Sequence, residues 1–239
     1  MSLLTMIGNV RKAMGFPAPT AVMSSTDTMI LELLAMANTS GQELVDVYDW
    51  QEIQRQCVFA ATAAYDQGRF NSAIVTDGDF NRIVNNTLWN RSAILQGTGP
   101  VTGVEWQSDT AFQAAAPFPK FRIWEGKLFI GPVGSLPTAG DTWAFEYISK
   151  NWCQGASGTA QSEWLADDDT GILDENLMKL DIIWRWKASK SLEYADDLEN
   201  FTQKLALRKG QTTGARSLYL GGANVIFPIN VPEGNWPTS

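Results

Sequence analysis

The feature that most constrains the fold is a stretch near the C-terminus, residues 172–209, that contains neither proline nor glycine. Its apolar residues recur every three or four positions, which is the spacing of one helical face. They are Leu173, Leu177, Leu180, Trp184, Ala188, Leu192, Ala195, Leu198 and Leu205. At a rise of about 1.5 Å per residue, a continuous helix here would be roughly 55 Å long, beyond the width of a small domain. We therefore predict one long helix around which the rest of the chain is organised.

A second apolar row lies on the opposite side of this predicted helix. Met178, Ile182 and Trp186 follow the first row by one or two positions, and two residues rotate a helix by roughly 200°. The first half of the helix therefore needs burial on two sides. The chain's own helices can cover one side, and either a sheet or a neighbouring subunit must cover the other.

Composition excludes several classes of function. The net charge of −8 over 239 residues argues against sequence-independent DNA binding, which draws on clustered lysine and arginine. The complete absence of histidine removes the commonest general base and the commonest zinc ligand. Cys57 and Cys153 are too far apart for a CxxC motif, and we recognise neither a secretory signal nor a membrane-spanning run. We expect a protein assembled in a reducing cytoplasm.

The first quarter of the chain has a helical pattern. Ser2 can cap a first helix that Gly15 ends, and a second helix begins at residues 25–27. Residues 38–41 then look like a break, since Ser40 and Glu43 match a capping box. The sequence predicts two helices nearly end to end, or one kinked helix, ending near residues 50–53.

The middle of the chain has strand patterns. Glu125-Gly126 separates two apolar runs as a hairpin turn does, and residues 141–149 read as a strand covered on both faces. Residues 57–64 and 88–95 read as further strands and residues 65–78 as a loop. Asp79 is predicted to cap one helical turn, and Thr102 with Glu105 to open a short helix.

These patterns predict an α+β fold with three parts. An antiparallel helical bundle is formed by residues 1–54 and 165–210. An antiparallel β domain, residues 55–164, is inserted into it, and residues 211–239 form an extended C-terminal tail.

No strong catalytic, cofactor or metal motif is present. Residues 167–169 are three consecutive aspartates, which we interpret as a helix N-terminal cluster rather than a cation site, because other calcium-loop ligands are missing. Gly97-Thr98-Gly99-Pro100 lacks the Gly-Lys-Ser/Thr of a phosphate loop. Trp184 and Trp186 point opposite ways on a helix and cannot form one stacking platform for nucleic acid. We predict a non-enzymatic protein without a cofactor.

Several short motifs, in this order, together resemble the head-to-tail adaptors of tailed phages, especially the tail tubular protein A type of short-tailed phages. The motifs are Leu3-Leu4-Thr5 with Gly15-Phe16-Pro17, Ser25-Thr26-Asp27, Asp79-Phe80, Thr87-Leu88-Trp89-Asn90-Arg91, Gly99-Pro100 with Glu105-Trp106-Gln107, Phe145-Glu146-Tyr147, Lys150-Asn151-Trp152, and Ile183-Trp184-Arg185-Trp186-Lys187. They span most of residues 1–209.

This resemblance implies a dodecameric ring in the virion, between the portal protein and the tail nozzle protein, through which double-stranded DNA passes without specific binding. In such a ring Met178, Ile182 and Trp186 are predicted to form the subunit interface. Phe227 and Trp236, in the C-terminal tail, are predicted to dock on the portal, since aromatic anchors are common binding hot spots. No membrane partner is expected.

The competing hypothesis is a carbohydrate-binding β module on a virion. Trp124, Trp143 or Trp152 would then be exposed sugar platforms. An enzyme ranks third, since no recognisable site supports it.

Overall fold

The computed structural model describes residues 1–112, 118–131 and 136–212, and the fold within them is a mixed α+β arrangement with antiparallel sheets. The helices are α1 (Leu3–Ala13), α2 (Thr28–Val47), α3 (Gly103–Phe112), α4 (Glu175–Ser189) and α5 (Ala195–Thr212). Helix α4 packs against α1, α2 and α5, and together they enclose the first hydrophobic core. Among the described helices, none is both long and apolar enough to cross a membrane.

The predicted long helix is two helices joined by a tight turn, so the prediction of one continuous segment was wrong. Helix α4 ends at Ser189, and Ser191 adopts a left-handed conformation with φ of 53°. The amide of Ser191 donates to the Ala188 carbonyl at 3.1 Å and the amide of Leu192 donates to that of Lys187 at 3.0 Å. This is the Schellman pattern that ends helices. Glycine usually occupies the left-handed position of this motif. Because serine occupies it here, the sequence showed no sign that the helix ends.

Helix α2 runs without interruption through the predicted break at residues 38–41, and the first core gives the reason. Gly41 is buried, and the indole of Trp152 lies directly against it. The glycine therefore serves close packing and does not end the helix. The helix ends at Val47, and a 3₁₀ turn, Gln51–Ile53, leads into the first strand.

The strands form three antiparallel sheets. Their bounds are β1 (Gln54–Ala60), β2 (Asp66–Arg69), β3 (Phe80–Ile83), β4 (Trp89–Asn90), β5 (Leu95–Gln96), β6 (Lys120–Trp124), β7 (Lys127–Gly131), β8 (Thr142–Ser149), β9 (Cys153–Gln154), β10 (Ala160–Gln161) and β11 (Thr170–Gly171). The five-stranded sheet has the order β1-β8-β4-β5, with β3 also paired to β8. The others have the orders β2-β7-β6 and β10-β9-β11.

The second hydrophobic core lies between the five-stranded sheet and the β2-β7-β6 sheet, and these two sheets with their core are called the β domain below. Trp143, Phe145 and Tyr147 enter it from β8, and Phe121 and Leu128 enter it from the other sheet. The predicted hairpin around Glu125-Gly126 is confirmed as β6 and β7, and both turn residues have the positive φ that its tight turn requires. The predicted strand at residues 141–149 is confirmed as β8, which is buried on both faces.

Two predictions between residues 65 and 83 were wrong. The segment read as a loop contains strand β2 and a π-helical turn, Phe70–Ile74. Asp79 caps no helix, because Phe80–Ile83 is strand β3. The short helix predicted after Thr102 is confirmed as α3, and the Thr102 hydroxyl accepts the amide of Glu105 at 3.2 Å.

Candidate functional site

The most concentrated polar cluster surrounds Asp79, whose side chain is 1% exposed. Its carboxylate accepts hydrogen bonds from the Tyr147 hydroxyl at 2.9 Å and the Ser149 hydroxyl at 2.7 Å. The guanidinium of Arg55 lies 2.9 Å away. A buried carboxylate with three partners is electrostatically satisfied, and a substrate could not reach it. The cluster therefore ties β1, β3 and β8 together.

Burial controls ionisation at this cluster. Desolvation, then the hydrogen bond to Asp79, raises the pKa of the Tyr147 hydroxyl, which therefore remains a donor. Desolvation, then the charges of Asp77 and Asp79, raises the pKa of the nearby Cys57 thiol to about 11. A protonated, buried thiol is a poor nucleophile. The chemistry of the site fits structural support and not covalent catalysis.

Arg82 joins the helical part to the β domain. From β3 its guanidinium donates to the carbonyls of Val45 at 2.9 Å and Tyr48 at 2.8 Å, and to the Asp49 carboxylate at 2.9 Å. The two carbonyls lie at the C-terminal end of α2, where backbone acceptors lack helical partners and a cation is favourable. The Arg82 side chain thus caps the C-terminal end of α2 and fixes this helix to the five-stranded sheet.

The outer face of the five-stranded sheet, away from the second core, carries a groove of about 510 Å³. Val58, Ala144 and Trp89 lie in register across β1, β8 and β4, and Ala144 and Trp89 line the groove. Polar side chains line the rest of the groove: Gln56, Asn86, Thr87, Arg91 and Glu146. Val58 is 50% exposed and Trp89 39% exposed.

A rigid turn at one end of the groove presents Ile94 to solvent. The turn connects β4 to β5, and the buried Asn90 side chain accepts the amides of Ser92 and Ala93, each at 2.9 Å. The Asn90 amide group also donates to Asp141 at 2.8 Å. Ile94 is 80% exposed and has φ of 56°. A β-branched side chain in this conformation is strained, so the tip combines an unfavourable backbone with exposed apolar surface.

Helix α3 lies on the opposite side of the β domain. Trp106 packs against Phe129, at 6.4 Å between ring centroids, and Phe129 is on the outer face of the β2-β7-β6 sheet. All ten residues of α3 keep some exposure, and Val104 and Phe112 are 83% and 80% exposed. Nearby Trp124 is 51% exposed. The β domain therefore has apolar surface on both outer faces.

The sequence matches no protein-family model, and no curated protein is significantly similar to it.

The row predicted as the subunit interface belongs to the chain's own core, which corrects that assignment. Met178 and Ile182 are completely buried, and Trp186 is 8% exposed. Trp186 packs edge-on against Phe16, at 6.0 Å between ring centroids. The segment after α1 folds back over the second side of α4, so no neighbour is required to cover it.

The three aspartates at residues 167–169 do not begin a helix, and the side chains of Asp167 and Asp169 stabilise a loop. Asp167 accepts the amide of Met23 at 2.8 Å, and the buried Asp169 accepts those of Leu165 and Ala166 at 2.7 and 2.8 Å. The side chain that caps α4 is Asp174. Within the described residues, no group of three or more metal-ligating side chains is placed to hold an ion.

The tryptophans proposed as sugar platforms divide into two groups. Trp143 and Trp152 are buried, which excludes them as platforms, whereas Trp124 is half exposed and lies under the Arg122 guanidinium at 5.3 Å. Phe227 and Trp236, the predicted portal anchors, lie outside the described residues. Sequence reasoning missed Trp89, Ile94 and Val104, because an apolar residue in a short strand or helix reads as core.

Proposed function

We propose that this protein is a non-enzymatic structural subunit, a head-to-tail adaptor that assembles as a ring through its β domain and not through its long helical segment. The observation that carries this proposal is the exposure of large apolar side chains on both outer faces of that domain. Ile94, Val104 and Phe112 each keep about four-fifths of their surface in water. Large apolar side chains that a fold leaves this exposed are candidates for contacts with a partner.

The fixed connection between the helices and the β domain supports the proposal of a ring subunit. We interpret α1, α2, α4 and α5 as the antiparallel bundle of the adaptor and the sheets as its inserted β domain. Arg82 fixes these two parts to each other through short hydrogen bonds, and the Asp79 cluster ties the strands of the β domain together. A stiff connection between two parts keeps their angle constant, and a closed ring needs a constant angle in every copy.

The charge of the chain is compatible with a conduit. A net charge of −8 per copy makes a ring of many copies strongly acidic. Like charges repel phosphate, so double-stranded DNA would pass through the channel without being held. A dodecameric ring between the portal and the nozzle, within the virion neck, follows from the family resemblance.

The portal contact is assigned to the C-terminal residues Phe227 and Trp236. Deleting residues 222–239 tests this assignment. We expect the shortened chain to lose binding to its cognate portal protein while its helical circular-dichroism signal is retained. Full portal binding by the shortened chain would refute the assignment without affecting the ring.

The adaptor proposal is tested by the assembly state of the full chain. Sedimentation velocity should reveal a discrete, large oligomer, and negative-stain images should contain rings with an open centre. A chain that stays monomeric at every concentration tested would contradict the proposal.

A sugar-binding role is the second candidate, and the groove favours it for one reason. Trp89 is an exposed aromatic ring beside the amide, carboxylate and guanidinium groups of Asn86, Glu146 and Arg91. Such a mixture of a flat apolar surface and planar polar groups suits a saccharide. Binding of the monomer to a glycan array, lost in Trp89→Ala, would support this role.

A further inference from the structure

We infer that helix α3 of one copy docks into the outer groove of the five-stranded sheet of the next copy. This inference rests on the proposed ring and identifies the surfaces that build it. The groove and α3 lie on opposite outer faces of one β domain, with the second core between them. Two different surfaces on opposite sides of a subunit give a head-to-tail contact, which can close into a ring.

The shapes and apolar groups of the two surfaces correspond. The groove is concave and is lined by Trp89 and Ile94, and the exposed Val58 lies in register with Trp89 on the same sheet. Helix α3 is convex, and Val104 and Phe112 are its most exposed apolar residues. Docking would remove these side chains from water, and apolar burial of this kind drives most protein association.

The charges next to these apolar residues also correspond. Arg91 is exposed on the groove lining, and over residues 1–112, 118–131 and 136–212 its guanidinium has no acidic partner. On α3, Glu105 follows Val104 and keeps 46% of its side chain exposed, although it also contacts Lys120 at 2.8 Å. An Arg91–Glu105 pair between copies would orient the helix in the groove.

The turn that carries Ile94 gives independent support. A left-handed isoleucine on a solvent-exposed tip is unfavourable in both backbone conformation and hydration, yet the Asn90 side chain fixes the turn before it by accepting the amides of Ser92 and Ala93. Such strain is typically kept where the side chain contacts a partner. Val104 of the next copy is the apolar partner that this geometry supplies.

Two substitutions test the contact without weakening the fold. Ile94→Asn removes the apolar tip, and asparagine tolerates the left-handed conformation better than isoleucine does. Val104→Asp places a carboxylate in the first turn of α3, where a negative charge is favourable. At a concentration low enough for the wild type to be monomeric, both variants should therefore unfold at the same temperature as the wild type or above it, since assembly would otherwise stabilise the wild type alone. Leu207→Gln is the matched control, because it also replaces an exposed apolar side chain with a polar one but lies on α5, outside both proposed surfaces.

Sedimentation velocity on the full chain reads out the result. We expect each variant alone to be monomeric, while the wild type and Leu207→Gln assemble. An equal mixture of the two variants should give a dimer of twice the monomer mass and nothing larger, because only one competent groove meets one competent helix. In a second arm, Arg91→Glu should disrupt assembly and Glu105→Arg in the same chain should restore it.

The outcomes separate this contact from the ring itself. If the wild type assembles and both variants assemble equally well, the contact is wrong and the adaptor proposal stands. If the variant mixture shows no dimer, the head-to-tail pairing is wrong. A wild type that never assembles overturns the ring and this contact together, and saccharide binding lost in Trp89→Ala would assign the groove to a sugar instead.

Discussion

The indole of Trp152 lies against the backbone of Gly41 so closely that a Cβ on Gly41 would be 2.3 Å from its nearest ring atom. Trp152 follows β8 and is completely buried, whereas Gly41 lies within α2. This contact packs the end of the β domain onto the helices, and it requires a residue without a side chain.

Gly41→Ala should therefore destabilise the chain. The added methyl group would overlap a completely buried ring, and overpacking of this kind costs about 3 kcal/mol. Urea denaturation measures the loss. Gly210→Ala is the matched control, because it is also a helical glycine but has no neighbour within 4 Å. It should stabilise the chain by about 0.5 kcal/mol. Equal effects of the two substitutions would contradict this role for Gly41.

Arg82→Met should loosen the connection between α2 and the β domain. The substitution leaves two helix-end carbonyls and one carboxylate without their donor, at a cost of about 2 kcal/mol. Hydrogen exchange should accelerate in the last turn of α2 and in β3. Arg69→Met is the control, because the hydrogen bond of its guanidinium to the Glu125 carbonyl is 3.5 Å long and joins no helix to a strand. Unchanged exchange in Arg82→Met would mean that other contacts hold the junction.

Ser191→Gly should stabilise the turn between α4 and α5. Glycine adopts the positive φ of this position without the steric cost that serine bears, a gain of about 0.5–1 kcal/mol. Ser191→Ala keeps that cost and should give no gain. The urea midpoint distinguishes the two variants. A gain from alanine equal to that from glycine would argue against the left-handed turn.

The two buried thiols should make stability fall at high pH. Burial is the main cause that raises the pKa of Cys57 to about 11 and that of Cys153 to about 12, from an ordinary value of 9.0. Between pH 9 and these values the unfolded chain releases protons that the folded chain keeps, so stability is full below pH 9 and declines above it.

The measurement is the urea midpoint at pH 8 and again near pH 10.5. The midpoint should drop between the two conditions in the wild type and drop less in the Cys57→Ala/Cys153→Ala variant, once each is compared with its own value at pH 8. The same drop in both proteins would show that the thiols contribute nothing to it.

The sequence identified elements whose signals are local. Ser2 and Gly15 mark the two ends of α1, and Glu125-Gly126 marks the hairpin of β6 and β7. Both signals are local, because capping and turn geometry depend on a few adjacent residues. Prediction from the sequence failed where tertiary contacts determine whether a helix continues or ends. Gly41 looked like a helix end but makes room for Trp152, and Ser191 ends α4 without the usual glycine.

The candidate surfaces were harder to predict than the fold. Helical spacing identified Met178, Ile182 and Trp186 as apolar but could not tell a core from an interface, and the chain covers them itself. Ile94 and Val104 became candidates only when their exposure and their positions on opposite faces of the β domain were known. Exposure is a property of the packed chain, and periodicity does not encode it.

The most direct test of the adaptor account is negative-stain microscopy of the purified full chain beside Ile94→Asn. The account predicts closed rings with a central opening for the wild type and single, compact particles for the variant. Compact single particles in both samples, at concentrations where the chain remains folded, would contradict it.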